Sequence, residues 1–587
     1  MKQFFKFLSI ALLVSVASAF AKDCSNDCNY PDYPDKCNCT DCGSTIFLPR
    51  PQGSDTAALY NPYYYGCGSC PSDVCSSWTL GYRYNQTFDG ERIAKCLLGS
   101  NQLAFIGFLA ANQTPTEGYK FVRADDFGLS PYYSGTITFD PRIKNNNIDF
   151  TARWELGNWY DCLEGLYFGV NATLTHTSWD WRHCCSKTSP SGLHDVDFPR
   201  GEMSPYTTFD AFTSIPQALE AKRGFGDVFG PQEYGSFVLN DNAEATGLAN
   251  IDAVLGYDFL RCDCYHFGAF IRASAPTGNR PYSLTIFEPI FGNGHHWELG
   301  GGIDAHWELW NCDSQCIMTY LTGNVTHLFK DEQTRIVPLS NCCLSQYTLL
   351  KEFDQNNNYI GLIRGTEVAA RRVDASFSVQ GDATLGFVYR NCGWAFSIGY
   401  NVFGRAAEKL ENIRTKCDLN NRFFGIKGRN GVLAPALDPQ GNEVGWYLSA
   451  TNSKYCITDA TNDALVDSPM NLSEAYPAST YTTWLNGTVQ PANAVYESAT
   501  SLPADSDLAV LNPTLLSTKT VDCDNVRGAP RMITNKVFGA IDYQWEDCDW
   551  KPFFGVGGEA EFGYRGSDCE YCSPNQWGVW LRGGISF

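Results

Sequence analysis

Residues 576–587 alternate in character along their whole length. Trp577, Val579, Leu581, Gly583, Ile585 and Phe587 fall on one side, and Gln576, Trp580, Arg582 and Ser586 fall on the other with two glycines. A strand has period two, so this spacing predicts one apolar and one mostly polar face. The pattern recurs upstream. Phe554, Val556, Ala560 and Phe562 alternate with Glu559 and Glu561, and Val537, Ile541, Tyr543 and Trp545 with Asp542 and Gln544. Trp297, Leu299, Ile303, Trp307 and Leu309 alternate with Glu298, Asp304, His306 and Glu308, and Ile148, Phe150, Ala152 and Trp154 with Asp149, Thr151, Arg153 and Glu155. Several runs extend about 10 to 13 residues, the length of strands tilted across a bilayer rather than the usual five or six.

Read this way, the chain predicts strands at 78–88, 101–109, 134–140, 148–157, 165–175, 250–260, 265–274, 296–309, 316–327, 378–390, 394–404, 536–546, 552–564 and 576–587. The expected fold is all-β, a transmembrane antiparallel up-and-down β-barrel of about 14 strands (roughly 12 to 18) with long extracellular loops. Strand parity places the connections near Cys162, Cys262, Cys264, Cys312, Cys392 and Cys548 at one end, expected to be periplasmic, and all of them are short. The long connections 176–249, 328–377 and 405–535 all fall at the opposite end, and residues 471–512 are the expected mobile stretch. Two helical patterns, 217–223 and 405–413, belong to these outer loops.

Residues 1–21 have a lysine-bearing start, a short apolar run and Ala19-Phe20-Ala21, the pattern of a secretory signal peptide. Residues 22–77 are expected to form a cysteine-rich periplasmic segment, and 78–587 the barrel. Beyond residue 21 no apolar run of about 18 to 20 residues occurs, so only a closed barrel could satisfy backbone groups in hydrocarbon. The net charge of −21 becomes about −23 without the leader, and the acidic balance argues against nucleic acid as a partner.

All 25 cysteines lie beyond residue 21, which in an exported protein points to disulfides. The count is odd, so at least one thiol is free or bonded to another chain. Cys162, Cys262, Cys264, Cys312, Cys316, Cys392 and Cys548 mark one rim. The vicinal pairs Cys184-Cys185 and Cys342-Cys343 lie in outer loops, and adjacent cysteines are too strained to bond each other, so they are expected to pin loops elsewhere. The Cys67-x-x-Cys70 and Cys569-x-x-Cys572 spacings lack the second pair a zinc site needs, so no metal and no cofactor is expected.

The inner faces would carry Asp149, Glu155, Asp258, Glu298, Asp304, Glu308, Asp542, Glu559 and Glu561 against Arg153, Arg272 and Arg582, with His306 beside Asp304. Charges survive there only if water reaches them or if they pair. The first case gives a water-filled, mildly cation-preferring pore, and the second a network that blocks the lumen. No hydrolase, nucleotide or metalloprotease motif occurs, and no enzyme is expected.

The signal peptide, the block Cys75-Ser76-Ser77-Trp78 with Leu80-Gly81-Tyr82-Arg83-Tyr84 and Phe88-Asp89-Gly90-Glu91-Arg92, the rim cysteines and the terminal Phe587 together resemble the cysteine-rich major outer-membrane porins of obligate intracellular bacteria, the chlamydial type. The resemblance implies an outer-membrane porin for ions and small hydrophilic solutes. It also implies a disulfide-linked envelope scaffold, trimeric and bonded to other envelope proteins, with Phe587 as the assembly signal. The alternative is a barrel that anchors a surface structural or adhesive protein without an open pore.

Overall fold

In the computed structural model, twelve antiparallel strands close on themselves into a barrel. They are β1 (Ser77–Thr87), β2 (Arg142–Glu155), β3 (Leu166–Asp180), β4 (Ala243–Cys262), β5 (Tyr265–Ala275), β6 (Glu298–Cys312), β7 (Gln315–Ile336), β8 (Ala370–Asn391), β9 (Trp394–Arg405), β10 (Met532–Gln544), β11 (Lys551–Gly563) and β12 (Gln576–Ser586). Each pairs with its sequence neighbour, and β12 pairs with β1 from Ser77↔Ser586 to Thr87↔Gln576. The structure describes residues 44, 46–60, 76–107, 110, 120–187, 197–198, 203, 209–220, 222–237, 239, 243–262, 264–312, 315–337, 344–353, 359–414, 423–427, 433–437, 443–448, 516–517, 528–545, 550–564 and 572–587. The expected signal peptide and the stretch 471–512 lie outside them.

The outward faces are those the alternation predicts. Leu80, Phe150, Leu255, Ile271, Ile398, Val556 and Leu581 are exposed in an apolar band. Trp78, Trp310, Trp394 and Trp545 ring its short-turn end, and Phe88, Phe562 and Tyr564 its long-loop end. An apolar band between aromatic girdles, on a sheet with no free edge, is the architecture of a bacterial outer-membrane barrel. Phe587 closes the seam, its backbone N–H donating to Ser76 O (2.9 Å) and its ring packing edge-on against Trp78 (5.6 Å).

Two expected strands do not join the wall. Residues 102–106 and 134–139 pair instead with 120–123 and 183–187 in a separate four-stranded sheet at the loop end. Their alternation is real, but the face it buries belongs to a loop domain rather than to lipid. The helical pattern at 405–413 is a strand, Glu408–Arg414, added to the outer end of β8. The helix near 217–223 is present as Ile215–Glu220. β7 and β8 are 22 residues each and rise beyond the bilayer band, which shortens the loop drawn at 328–377.

At the loop end the connections form a cap with its own core. Trp179 and Trp181, at and just past the end of β3, pack with Phe139, Phe237 and Phe287, with ring centroids 4.6 Å apart for Trp179–Phe287 and 4.8 Å for Phe139–Trp181. Helix α2 (Gly90–Leu98; α1 is Thr56–Leu59) buries Ile93, Ala94, Leu97 and Leu98 in the same core and stops at Gly99, whose φ of +73° suits a residue without Cβ. Cys96 of this helix is bonded to Cys572, so the first and last outer connections are tied together.

Deep in the cap, Asp125 receives Arg123 Nη2 at 2.7 Å and lies 3.6 Å from Lys427 Nζ. The neighbouring carboxyl of Asp126 is pushed up to about 7 by burial and by the charge of Asp125. The folded cap therefore holds a proton on Asp126 that the unfolded chain has already released, and cap stability falls as pH rises from the usual carboxylate range to about 7. Asp126→Asn is expected to flatten that slope and to leave the cap more stable than wild type at pH 8. Urea midpoints followed by tryptophan fluorescence between pH 4 and 8 check it, and an unchanged slope would refute it.

Candidate functional site: the stoppered lumen

The segment 46–60 runs through the inside of the barrel, not along the periplasmic side as expected for 22–77. Ile46, Phe47 and Leu48 sit in the cap core, and Tyr60 reaches the inner face of β7, where it stacks on Tyr320 with 3.6 Å between centroids. Pro49 and Pro51 keep the backbone extended. Gly53 allows the close approach to the wall, since a Cβ there would come within 1.4 Å of Asn250 Oδ1. Asp55 ends the extended run and caps the short helix α1 (Thr56–Leu59), accepting from Ala58 N.

Ion pairs hold the segment. Arg50 lies 3.1 Å from both Glu561 and Asp382, and its Nη1 donates to Asn401 Oδ1 at 2.9 Å. Asp55 accepts from Arg83 Nη1 at 2.5 Å and from Lys536 Nζ at 2.7 Å. The wall cations are held by the wall as well: Arg83 donates to both oxygens of Asp149 (3.1 and 3.2 Å), and Lys536 lies 2.8 Å from Glu559. Toward the turn end, Arg582 makes a fork onto Asp542 (2.7 and 2.8 Å) and also donates to Tyr60 O.

Farther along β2, Arg153 lies over the Tyr167 ring at 3.6 Å and is shared by Glu155 (2.9 Å), Asp304 (3.4 Å) and Asp258 (3.5 Å). His266 is 2.8 Å from Asp258 and stacks on His306 at 5.4 Å. Arg272 bridges Asp252 (3.0 Å) and Glu298 (3.6 Å). Each of these groups is on the inner face the alternation assigns. Most are buried, whereas Glu308 is half-buried near the turn end. The inner face thus carries charges that are paired. At the level of Arg50 and Asp55 the lumen is filled by a chain segment whose charges pair with the wall, because the inner carboxylates need more cations than Arg153, Arg272 and Arg582 supply. Further cations are Arg50, Arg83 and Lys536, and Arg261, which lies 3.4 Å from Glu155. Arg83 and Lys536 sit at inward parity in strands already drawn, so the surplus of acid could have flagged them.

The cysteines divide by environment. Cys162, Cys262, Cys264, Cys312 and Cys392 are free and exposed at the turn-end rim, whereas Cys316, one residue inside β7, is buried and disulfide-bonded. Cys184 and Cys185 pin no loop: they are free and exposed on the strand 183–187. Cys342, Cys343 and Cys548 lie outside the described residues.

Comparison with solved structures returns barrels. An outer-membrane channel from Pseudomonas putida F1 shares 9% identity over 90% of this chain and 100% of its own, with a TM-score of 0.31. A FadL homologue from Pseudomonas aeruginosa shares 7% over 87% and 90% (TM-score 0.24), and the toluene transporter TodX from Pseudomonas putida 8% over 92% and 98% (TM-score 0.26). No family model and no curated protein matches the sequence. The closed strand pairing itself makes this chain a barrel.

Proposed function

We propose that the protein is an outer-membrane channel for ions and small hydrophilic solutes that rests closed, with residues 49–60 as its stopper. The observation that carries this is a charged inner face whose closure at mid-height depends on ion pairs from one segment. A barrel built only as an anchor would gain nothing from lining its interior with paired charges, because an apolar filling of equal volume is often as stable or more so. With the stopper withdrawn, the surplus of wall carboxylates favours cations over anions. Single-channel recording of the purified chain in planar bilayers tests the reading, with wild type nearly silent and a variant with a weakened stopper conducting. Silence of both, with the barrel folded, would leave the second reading, a surface structural protein, which the hydrophobic core of the cap favours.

The five exposed rim thiols support a further part of this proposal: bonds to neighbouring copies in a trimer or to other envelope proteins, in keeping with the resemblance to cysteine-rich porins. Non-reducing electrophoresis of isolated envelopes is expected to show ladders that collapse on reduction. Replacing Cys162, Cys262, Cys264, Cys312 and Cys392 by Ser should abolish them, and monomeric migration of wild type would end the idea.

A further inference from the structure

Beside the stopper the lumen keeps a cavity of about 140 Å³, bounded by Ser54 and Tyr60 of the segment and by Arg153, Asp252, Phe270 and Asp304 of the wall. That is room for on the order of ten waters, or for one small organic molecule. Its lining is short of donors in a specific place. Asp252, 1% exposed, accepts from Arg272 Nη2 through Oδ2 at 3.0 Å, while its Oδ1 has no partner.

The charges agree with the geometry. Arg272 serves both Asp252 and Glu298, so on that side of the cavity one guanidinium faces two carboxylates. A buried carboxylate oxygen with no donor calls for a positive, donor-only group. We propose that this cavity binds a small primary-amine cation, its ammonium on Asp252 Oδ1 and its carbon chain against Phe270. An ammonium brings three donors and no acceptor, and an aromatic wall favours an organic cation over a hydrated metal ion. Among the described residues no cluster has the composition of a metal site. The assignment goes beyond the channel reading and does not require the stopper to move, so binding and conduction can fail separately.

Isothermal titration calorimetry of the full chain in detergent tests it, with n-butylammonium as the probe and butan-1-ol, butyrate, potassium and magnesium as comparisons. The expected result is one saturable site for butylammonium, no comparable heat from butanol or butyrate, and no displacement by equal concentrations of either metal ion. Asp252→Asn should weaken binding roughly tenfold or more while the barrel keeps its heat-modifiable mobility on gels. Phe270→Leu, which leaves every charge in place, should weaken it by a smaller factor. Equal binding of butanol, displacement by magnesium, absence of any site, or unchanged affinity in a folded Asp252→Asn would overturn the proposal. If Asp252→Asn does not fold, the ligand comparison on wild type with Phe270→Leu decides it.

Discussion

Asp55→Ala is expected to turn a nearly silent barrel into a conducting one. Asp55 is buried in the lumen and faces three cations: Arg83 at 2.5 Å, Lys536 at 2.7 Å and Arg50 at 3.6 Å. Removing one member of a buried ion pair costs about 3–5 kcal/mol, most of it from the partner left uncompensated. The cost here falls unequally. Arg83 keeps Asp149, and Lys536 keeps Glu559 and, at 3.8 Å, Glu561, so the wall stays paired when the carboxylate is gone. The segment itself loses its ion pairs to Arg83 and Lys536 and keeps Arg50 on Glu561 and Asp382, Gln52 O on Arg83, Thr56 on Asp382 and Thr384, and Tyr60 O on Arg582. The barrel should therefore fold while the stopper leaves its seat on the order of a hundredfold more often, the ratio that about 3 kcal/mol commands. Single-channel recordings at fixed voltage measure it, with reversal potentials in a salt gradient reporting the cation preference. Openings as rare as those of wild type, in a variant with an intact barrel, would count against a displaceable stopper.

The second large effect is expected at Trp179→Ala, which should loosen the cap by about 3–5 kcal/mol. Trp179 is 1% exposed. Its ring lies 4.6 Å from Phe287 of one outer connection and meets Phe47 edge-on at 5.9 Å. Phe47 stands just before the stopper in sequence, so one indole joins the barrel rim, a loop and the entry of the segment into the lumen. Limited trypsin digestion should cut the outer connections sooner while the strands remain protected. Because the stopper leaves the cap at Phe47 and Leu48, where Arg405 Nη2 also donates to Leu48 O at 2.6 Å, openings should become more frequent as well. A double variant with Asp55→Ala is expected to be non-additive, since both changes act on the same segment. Strict additivity, or unchanged cap proteolysis, would separate cap from stopper.

Much of the wall was legible along the chain. Inward and outward parity holds at Asp149, Arg153, Glu298, Asp304, Asp542, Glu559 and Arg582, because a strand that faces lipid must be apolar on every second residue. The two strands assigned wrongly to the wall, at 102–106 and 134–139, alternate as clearly as the real ones. Alternation reports that one face is buried and does not say whether lipid or a loop core buries it. The stretch 46–60 has no such period, and nothing local distinguishes an extended Pro-rich run in the periplasm from one threaded through a barrel.

The sequence alone determined where the alternating strands run, which of their faces is apolar, and which end of the barrel carries short turns, since all three follow from periodicity and spacing. Tertiary structure decided what occupies the lumen of that barrel. Arg50 and Asp55 lie hundreds of residues from Asp382, Lys536 and Glu561, and only closure of the cylinder brings those charges within reach. Burial then makes an unpaired charge too costly to leave, and the segment stays where the wall can neutralise it.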